Sequence, residues 1–140
     1  LTLLGDGPEL QPLKTLLAEL NLSDRIHLTG HQQDAWRLMP AFDVFVLPSY
    51  GESFCMVLAE AMVARVPIIA TQAGAIPEVM GDSAIALCQA ADIDSLHTAL
   101  TQGFKLSAQQ REQLTASGWQ RVNDLFSYAE LKRGISELLK

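Results

Sequence analysis

The sequence predicts an α/β protein with a parallel sheet of about five strands and helices on its faces. Short apolar runs that end at Gly or Pro alternate with segments in which Leu recurs at helical spacing. The run over residues 44–47 is apolar throughout, which is typical of a strand covered on both faces of a sheet. Helices separate the successive early strands, and this alternation favours parallel pairing. Ligands of such sheets bind at the carboxyl ends of the strands.

Length and composition limit the classes of protein. The chain has 140 residues, of which 49% are hydrophobic and 19% are charged, as expected for one globular domain. The net charge is −6 and the ten Lys and Arg are spread thinly, so binding of nucleic acid through charge is not expected. No apolar run approaches the roughly 18 residues of a membrane span. Cys55 and Cys88 match no metal-site spacing and indicate a reducing compartment.

The first part of the chain contains two predicted strands and two predicted helices. Pro12 fits only in the first turn of a helix, so the first helix must begin near Glu9. Pro40 is expected to stop the second, shorter helix. The predicted elements are a strand over residues 1–4, a leucine-rich helix from Glu9, a strand over residues 26–29 that ends at Gly30, and a short helix from Asp34 to Met39.

The remainder alternates again and then becomes helical. Ser107 with Gln110, and Ser127 with Glu130, have the spacing of a capping box at a helix start. The predicted elements are a strand over 44–47, a helix over 53–64, a strand over 67–70, a small-residue loop over 71–77, a strand over 84–87, a helix around Leu96 and Leu100, a helix from Ser107, and a last helix carrying Leu131, Ile135, Leu138 and Leu139.

Two glutamates mark the segment that can carry chemistry. Glu60 is the only ionisable side chain besides Cys55 on the apolar helix predicted over residues 53–64, and a lone carboxylate there needs a partner. Glu52 precedes that helix. If both lay on it, they would be roughly 12 Å apart along the axis and about 80° apart around it.

At that separation the two carboxylates cannot share one proton or one metal ion. They could instead hold the two ends of an elongated ligand, with the amides and positive dipole end of the helix between them. A sugar, a diphosphate and a ribose have this outline. In the alternative interpretation, Glu60 reaches solvent at the helix edge and Glu52 only favours the helix N-terminus. The pattern alone leaves both open.

The motif of Glu52, seven residues and Glu60 resembles the E-x7-E motif of retaining glycosyltransferases of family 4, which have the GT-B fold. The resemblance covers essentially the whole chain in order and implies the Rossmann-like donor-binding domain of such an enzyme. The segments that carry it are Gly5-Asp6-Gly7-Pro8-Glu9, residues 24–30, residues 43–49, residues 67–71, and Gly74, Ile76, Pro77 and Glu78.

The resemblance implies a role for each matching residue. Glu52 would contact the donor sugar near the reacting carbon, as the catalytic carboxylate, and Glu60 would bind the ribose. The remaining donor-binding positions are the backbone amides of Ser53, Phe54, Cys55 and Met56 for the sugar and diphosphate, Gly30 and His31 near the base, and Gly74 near the donor pocket. It implies no metal and no cofactor besides the nucleotide-sugar substrate, with a UDP-sugar favoured over a GDP-sugar.

The chain departs from the family pattern in three places. Cys55 stands where relatives usually have Gly, and it could either narrow the pocket or fit as a small apolar residue. The family's Gly-Arg loop and following Lys, which contact the diphosphate, have no counterpart, since Arg25, Arg37 and Arg65 do not match those positions. The N-terminal acceptor domain has no counterpart either.

The chain opens inside a strand-like run without an initiator Met, so we expect a piece of a longer protein. Residues 1–140 would form one donor-binding domain that lacks its first strand. That strand would leave a gap between the strands over 1–4 and 44–47, to be closed by direct pairing or by another chain. We therefore expect an oligomer or a rearranged sheet edge.

The expected function is transfer of a sugar, with retention of configuration, from a nucleotide-diphosphate donor to a glycan or lipid-linked acceptor. The isolated piece should be inactive or nearly so. The parent would act in bacterial cell-envelope polysaccharide or lipopolysaccharide assembly, in the cytoplasm or peripherally at the inner membrane. The alternatives are a nucleotide-sugar-binding module without transfer, a GT-B sugar-nucleotide epimerase, and a non-enzymatic interaction domain.

Overall fold

The computed structural model describes residues 1–127, 129, 130, 132, 133 and 136. The chain divides into two compact units, Leu1–Arg37 and Leu38–Lys140. The described residues contain five strands, all in parallel pairs, which form one sheet of two strands and one of three. The predicted α/β class with parallel strands is therefore confirmed, whereas the strands form two sheets and not the one sheet that was predicted.

The first unit contains β1 (Thr2–Leu3), α1 (Leu10–Glu19) and β2 (His27–Leu28). β1 and β2 pair in parallel, with Thr2 opposite His27 and Leu3 opposite Leu28. The helix begins one residue after Glu9, so Pro12 lies in its first turn as predicted. Within residues 1–37, Leu17 is the one fully buried side chain.

The short helix predicted from Asp34 is a 3-10 helix over Ala35–Ala41, and the predicted stop at Pro40 is wrong. Pro40 lies inside the helix, next to its last residue. A proline interrupts a helix because it lacks an N–H and crowds the preceding turn. Because the helix ends one residue after Pro40, the proline interrupts almost none of its hydrogen bonds.

The second unit is built on β3 (Phe45–Leu47), β4 (Ile68–Thr71) and β5 (Ala86–Cys88), in the order β3-β4-β5. Phe45 lies opposite Ile68, and Ile69 lies opposite Ala86. Every residue of β4 is buried, whereas β3 is an edge strand of this sheet and is only half-buried. Phe45 and Leu47 pack against the core on one face and Val44 and Val46 pack against the cluster on the other, so residues 44–47 are covered on both faces as expected. The cover is partial because β3 is an edge strand.

Helices cover both faces of this sheet. On one face a core of Leu58, Met62, Ile76 and Met80 joins α2 (Met56–Val63) and α3 (Ile76–Met80), with Val122 of α5 (Ala108–Phe126). On the other face Ile69 and Cys88 pack with Ala99 of α4 (Ile93–Lys105). The helix α3 was not predicted, because five residues are too few for a helical period to show.

The two predicted capping boxes differ in outcome. At the start of α5 the Ser107 hydroxyl accepts from the Gln110 amide and the Gln110 side chain accepts from the Ser107 amide, so this box is confirmed. At Ser127 the hydroxyl accepts from the Glu130 amide at 3.3 Å, which is half of a box. The apolar positions predicted beyond it, Leu131, Ile135, Leu138 and Leu139, lie outside the described residues.

Candidate functional site

Glu52 lies in the loop between β3 and α2, and hydrogen bonds hold both its side chain and its backbone carbonyl. Its carboxylate Oε1 accepts a hydrogen bond from the Ser49 hydroxyl at 2.7 Å. Its backbone carbonyl accepts from the Ala75 amide, in the loop after β4, at 3.0 Å. The side chain is half-buried. The carboxylate is therefore fixed at the carboxyl ends of two neighbouring parallel strands, where this class of sheet binds ligands.

Gly74 lies directly against Glu52. Its φ is +56°, and a Cβ atom there would lie 2.1 Å from the Glu52 carbonyl oxygen. Only glycine fits such a close approach at a left-handed backbone position. The structure thus brings together two residues that the sequence placed at the same site, and it gives the physical reason for the glycine.

Cys55 sets the start of α2, which begins at Met56 and not at Ser53 as predicted. Cys55 has φ 56° and ψ 70°, a left-handed conformation that a right-handed helix cannot include. Glu52 therefore lies outside the helix, and the axial spacing predicted for two glutamates on one helix does not apply. A position of this conformation favours glycine, the residue that the family resemblance implies there.

The Cys55 side chain is 6% exposed and belongs to the core that contains Leu58 and Ala59. Burial raises the pKa of the Cys55 thiol, and the nearby Glu52 carboxylate raises it further. Of the two interpretations left open by the sequence, this placement supports the small apolar residue. A thiol packed in the core does not narrow a solvent-facing pocket.

Glu60 lies in the middle of α2 among apolar neighbours. Leu58, Ala59, Ala61 and Met62 are buried, whereas Glu60 is half-buried. Within the described part of the chain no side chain forms an ion pair with its carboxylate. Glu60 is thus a half-buried carboxylate on an apolar helix, without an ion-pair partner among the described side chains.

The chain around the start of α2 is partly exposed to solvent. Ser53, Phe54 and Met56 are exposed. The first amide of α2 to meet a backbone carbonyl is that of Leu58, which donates to Cys55 at 3.0 Å. The four residues whose amides were predicted to bind a donor therefore precede the regular hydrogen bonding of the helix.

Gly30 and His31 lie in the first unit, at the end of β2. Gly30 has φ +66°, and its carbonyl accepts from the Gly5 amide at 2.9 Å in an antiparallel bridge. His31 is exposed. A cavity of about 380 Å³ in the same unit lies beneath the turn after β1 and is lined mainly by Leu3, Leu4, Leu10, Leu13 and Leu28, with no predicted site residue on its wall.

Sequence reasoning missed two residues of the site, Ser49 and Thr71. The Thr71 hydroxyl donates to the Ser49 carbonyl at 2.5 Å, and Ser49 in turn holds Glu52. Thr71 is 3% exposed. A hydroxyl at the end of the buried apolar strand β4 was the available signal, since a buried polar group requires a partner.

The described residues contain neither a cluster of metal-binding side chains nor a membrane-spanning helix. No group of three or more His, Cys, Asp or Glu side chains there could hold a metal ion. No helix in that part of the chain is long and apolar enough to cross a membrane.

Known proteins resemble the chain in sequence. The profile of the family "Glycosyl transferases group 1" matches residues 1–121. The N-acetyl-alpha-D-glucosaminyl L-malate synthase of Bacillus anthracis is 42% identical over 94 residues, which are 66% of this chain and 24% of that protein. The lipopolysaccharide core biosynthesis glycosyltransferase LpsD of Rhizobium meliloti is 35% identical over 127 residues, which are 91% of this chain and 37% of that protein.

Solved structures resemble it in fold. Sucrose-phosphate synthase of Thermosynechococcus elongatus superposes with a TM-score of 0.83 at 25% identity, over 99% of this chain and 37% of that one. Anabaena Alr3699/HepE in complex with UDP superposes with a TM-score of 0.86 at 22% identity, over 99% of this chain and 40% of that one.

The chain thus spans well under half the length of these proteins and corresponds to part of each. The family profile covers the first unit and residues 38–121 of the second, which include the loop that holds Glu52 and the helix that carries Glu60. The fold, the ordered set of motifs and the sequence similarity lead to one assignment. The chain belongs to the glycosyl transferases group 1 family.

Proposed function

We propose that this chain supplies the donor-binding half of a retaining glycosyltransferase, with Glu52 at the sugar and Glu60 at the ribose of a nucleotide-sugar. The observation that carries the proposal is the pair of carboxylates around the start of α2. One is held by Ser49 and Ala75, and the other lies unpaired by any described side chain on an apolar helix.

The chemistry of transfer fits this arrangement. Departure of a nucleoside diphosphate leaves positive charge on the sugar, which a carboxylate at Glu52 would stabilise. Negative charge develops on the leaving diphosphate. Amides and the positive dipole end of a helix stabilise such charge without a metal ion. The residues that would supply this environment are Ser53, Phe54, Cys55 and Met56, with Gly74 leaving room beside Glu52.

We propose a UDP-sugar as the donor. Anabaena Alr3699/HepE, which shares the fold, has been solved in complex with UDP and with UDP-glucose. Gly30 and His31 would lie near the base, the ribose would bind Glu60, and no cofactor beyond the donor itself would take part. These roles follow the family pattern that the residues match.

We propose a glycan or lipid-linked acceptor for the protein that carries this chain. LpsD and the mannosyltransferase LpsB of Rhizobium meliloti both have names in lipopolysaccharide core biosynthesis. A cytoplasmic location, with peripheral association at the membrane, suits such an acceptor. The acceptor itself would bind outside the residues considered above, so the isolated chain should show little or no transfer.

An edge strand supports the proposal that β3 pairs with a further strand. The apolar run at Val44, Phe45 and Val46 carries no Lys or Pro, the residues that usually protect an exposed edge. Sedimentation of the chain at rising concentration should therefore show self-association. A single monomeric species at all concentrations would contradict this.

Calorimetric titration of the chain with UDP, UDP-glucose and GDP-mannose tests the donor proposal. We expect a uridine ligand to bind, Glu60→Gln to weaken both UDP and UDP-glucose, and Glu52→Gln to weaken UDP-glucose alone. Glu112→Gln, an exposed glutamate on α5, is the matched control and should change nothing. Equal effects of all three substitutions would overturn the proposal.

Retention of configuration needs the protein that carries this chain. Proton NMR of the first product formed should show the same anomeric configuration as the donor sugar. An inverted product would refute the retaining mechanism. Conversion of the nucleotide-sugar into an epimer, without any acceptor, would favour the epimerase alternative.

A further inference from the structure

We propose that Thr71 and Ser49 are positioning residues that fix the carboxylate of Glu52 toward a donor sugar. The inference rests on the proposed role of Glu52. It goes beyond that role by assigning the orientation of the carboxylate to two hydroxyl groups. Neither belongs to the E-x7-E motif.

The first step joins two strands. Thr71 is the last residue of β4, and Ser49 follows the end of β3, its parallel neighbour in the sheet. The Thr71 hydroxyl donates to the Ser49 carbonyl at 2.5 Å. This bond fixes the backbone of the loop after β3 to a strand whose residues are all buried.

The second step joins the loop to the carboxylate. The Ser49 hydroxyl donates to Glu52 Oε1 at 2.7 Å. The Ala75 amide holds the Glu52 carbonyl at 3.0 Å. The Ala75 amide therefore holds the main chain of Glu52, and the Ser49 hydroxyl holds one oxygen of its carboxylate, which also lies beside the Cys55 thiol.

The two hydrogen bonds should affect binding of the sugar and not binding of the nucleotide. The pair of hydroxyls acts on Glu52 alone, whereas Glu60 lies on α2, outside these hydrogen bonds. Loss of either hydroxyl should therefore weaken binding of the sugar and leave binding of the nucleotide unchanged. A general loss of structure would weaken both equally.

Thr71→Val and Thr71→Ser form a matched pair. Valine has nearly the shape of threonine but lacks the hydroxyl, and serine keeps the hydroxyl. Ser49→Ala removes the donor to Glu52 directly. We expect Ser49→Ala, which removes a hydrogen bond to a carboxylate, to weaken UDP-glucose about tenfold. Thr71→Val removes a hydrogen bond to a neutral carbonyl and should weaken UDP-glucose in the same direction by a smaller factor. UDP affinity should stay unchanged, and Thr71→Ser should behave as the unmodified chain.

Hydrogen exchange at the Ala75 amide reports the position of Glu52 without any ligand. Thr71→Val should speed exchange at Ala75 relative to Ile69 in the centre of β4, and Thr71→Ser should not. Circular dichroism and the thermal midpoint of each variant show whether it folds. If Thr71→Val does not fold, Ser49→Ala takes its place in the exchange measurement. Ser49 lies in the loop after β3 and not in the buried strand, so loss of its hydroxyl should disturb folding less.

The outcomes separate this inference from the proposed function. If Glu52→Gln fails to discriminate UDP-glucose from UDP, the proposed role of Glu52 is overturned. If Glu52→Gln discriminates but Thr71→Val and Ser49→Ala do not, the positioning role alone is overturned. If no nucleotide binds the chain, the proposal that it binds a nucleotide-sugar donor is overturned. The positioning role is tested separately by hydrogen exchange, and unchanged exchange at the Ala75 amide in Thr71→Val overturns it.

Discussion

The ring of Phe54 meets the ring of Phe126 edge to face, with centroids 5.1 Å apart and planes at 86°. Phe54 belongs to the loop between the two glutamates, and Phe126 is the last residue of α5. The contact therefore fastens the exposed loop of the candidate site to the end of α5.

Replacing Phe126 with Ala should lower the free energy of unfolding by about 1–3 kcal/mol, since a half-buried aromatic side chain and its ring contact are lost. Leu125→Ala is the control, because Leu125 is an exposed neighbour on the same helix. A double-mutant cycle with Phe54→Ala should give a coupling of about 0.5–1.5 kcal/mol in urea denaturation. Zero coupling would show that the rings do not support each other.

Gly74→Ala should be strongly destabilising. The left-handed backbone costs about 1–2 kcal/mol for a residue with a Cβ atom. Relieving the clash with the Glu52 carbonyl costs about 1–3 kcal/mol more. Gly51→Ala is the matched control, because Gly51 has open space around it and no left-handed φ. Chemical denaturation of both variants compares them, and similar stabilities would contradict the close approach.

Cys55→Gly and Cys55→Ala should differ in stability although both remove the buried sulfur. Glycine accepts the left-handed conformation at Cys55, whereas alanine keeps the strain. We expect the glycine variant to be more stable by about 0.5–1 kcal/mol. The same urea titration decides this, and a more stable alanine variant would indicate that the backbone at this position is not strained.

The two thiols should make the fold less stable in alkaline solution. Burial raises the pKa of both Cys55 and Cys88 above the ordinary thiol value. The folded state therefore prefers the protonated thiols. Their contribution to stability is complete below the unfolded pKa of about 8.5 and is lost as the pH rises through the folded values.

The free energy of unfolding, measured in urea at pH 7 and at pH 10, should fall between the two. In the Cys55→Ala/Cys88→Ala variant the fall in the free energy of unfolding should be smaller, because the two thiols are absent. Some fall should persist, since other groups that titrate in this range remain. An equal fall in both proteins would show that the thiols contribute nothing to it.

Much of the fold could be predicted because its strands are apolar and short. The predicted ranges over 44–47 and 67–70 each overlap the observed strand to within one residue at either end. Their ends shift because pairing with the neighbouring strand decides where a strand stops. The capping box at Ser107 was predictable because it depends on two residues three positions apart.

The parts of the site that could not be predicted depend on contacts between distant residues. Glu52 and Glu60 could be singled out because carboxylates are unusual on an apolar segment. The approach of Gly74 to Glu52, and the bond from Thr71 to Ser49, follow from the pairing of β3 with β4. The start of α2 was misplaced because cysteine gives no local signal for a left-handed backbone.

Few side chains are buried in residues 1–37, and this affects where proteolysis of the chain should begin. Local opening requires little energy where few apolar contacts must be broken. Leu1, Leu16 and Leu20 remain largely exposed in that unit, so a protease that cleaves after leucine should attack it while β4 and its covering helices are still intact. Degradation in a cell would then begin within residues 1–37, a segment separate in sequence from the loop that holds Glu52.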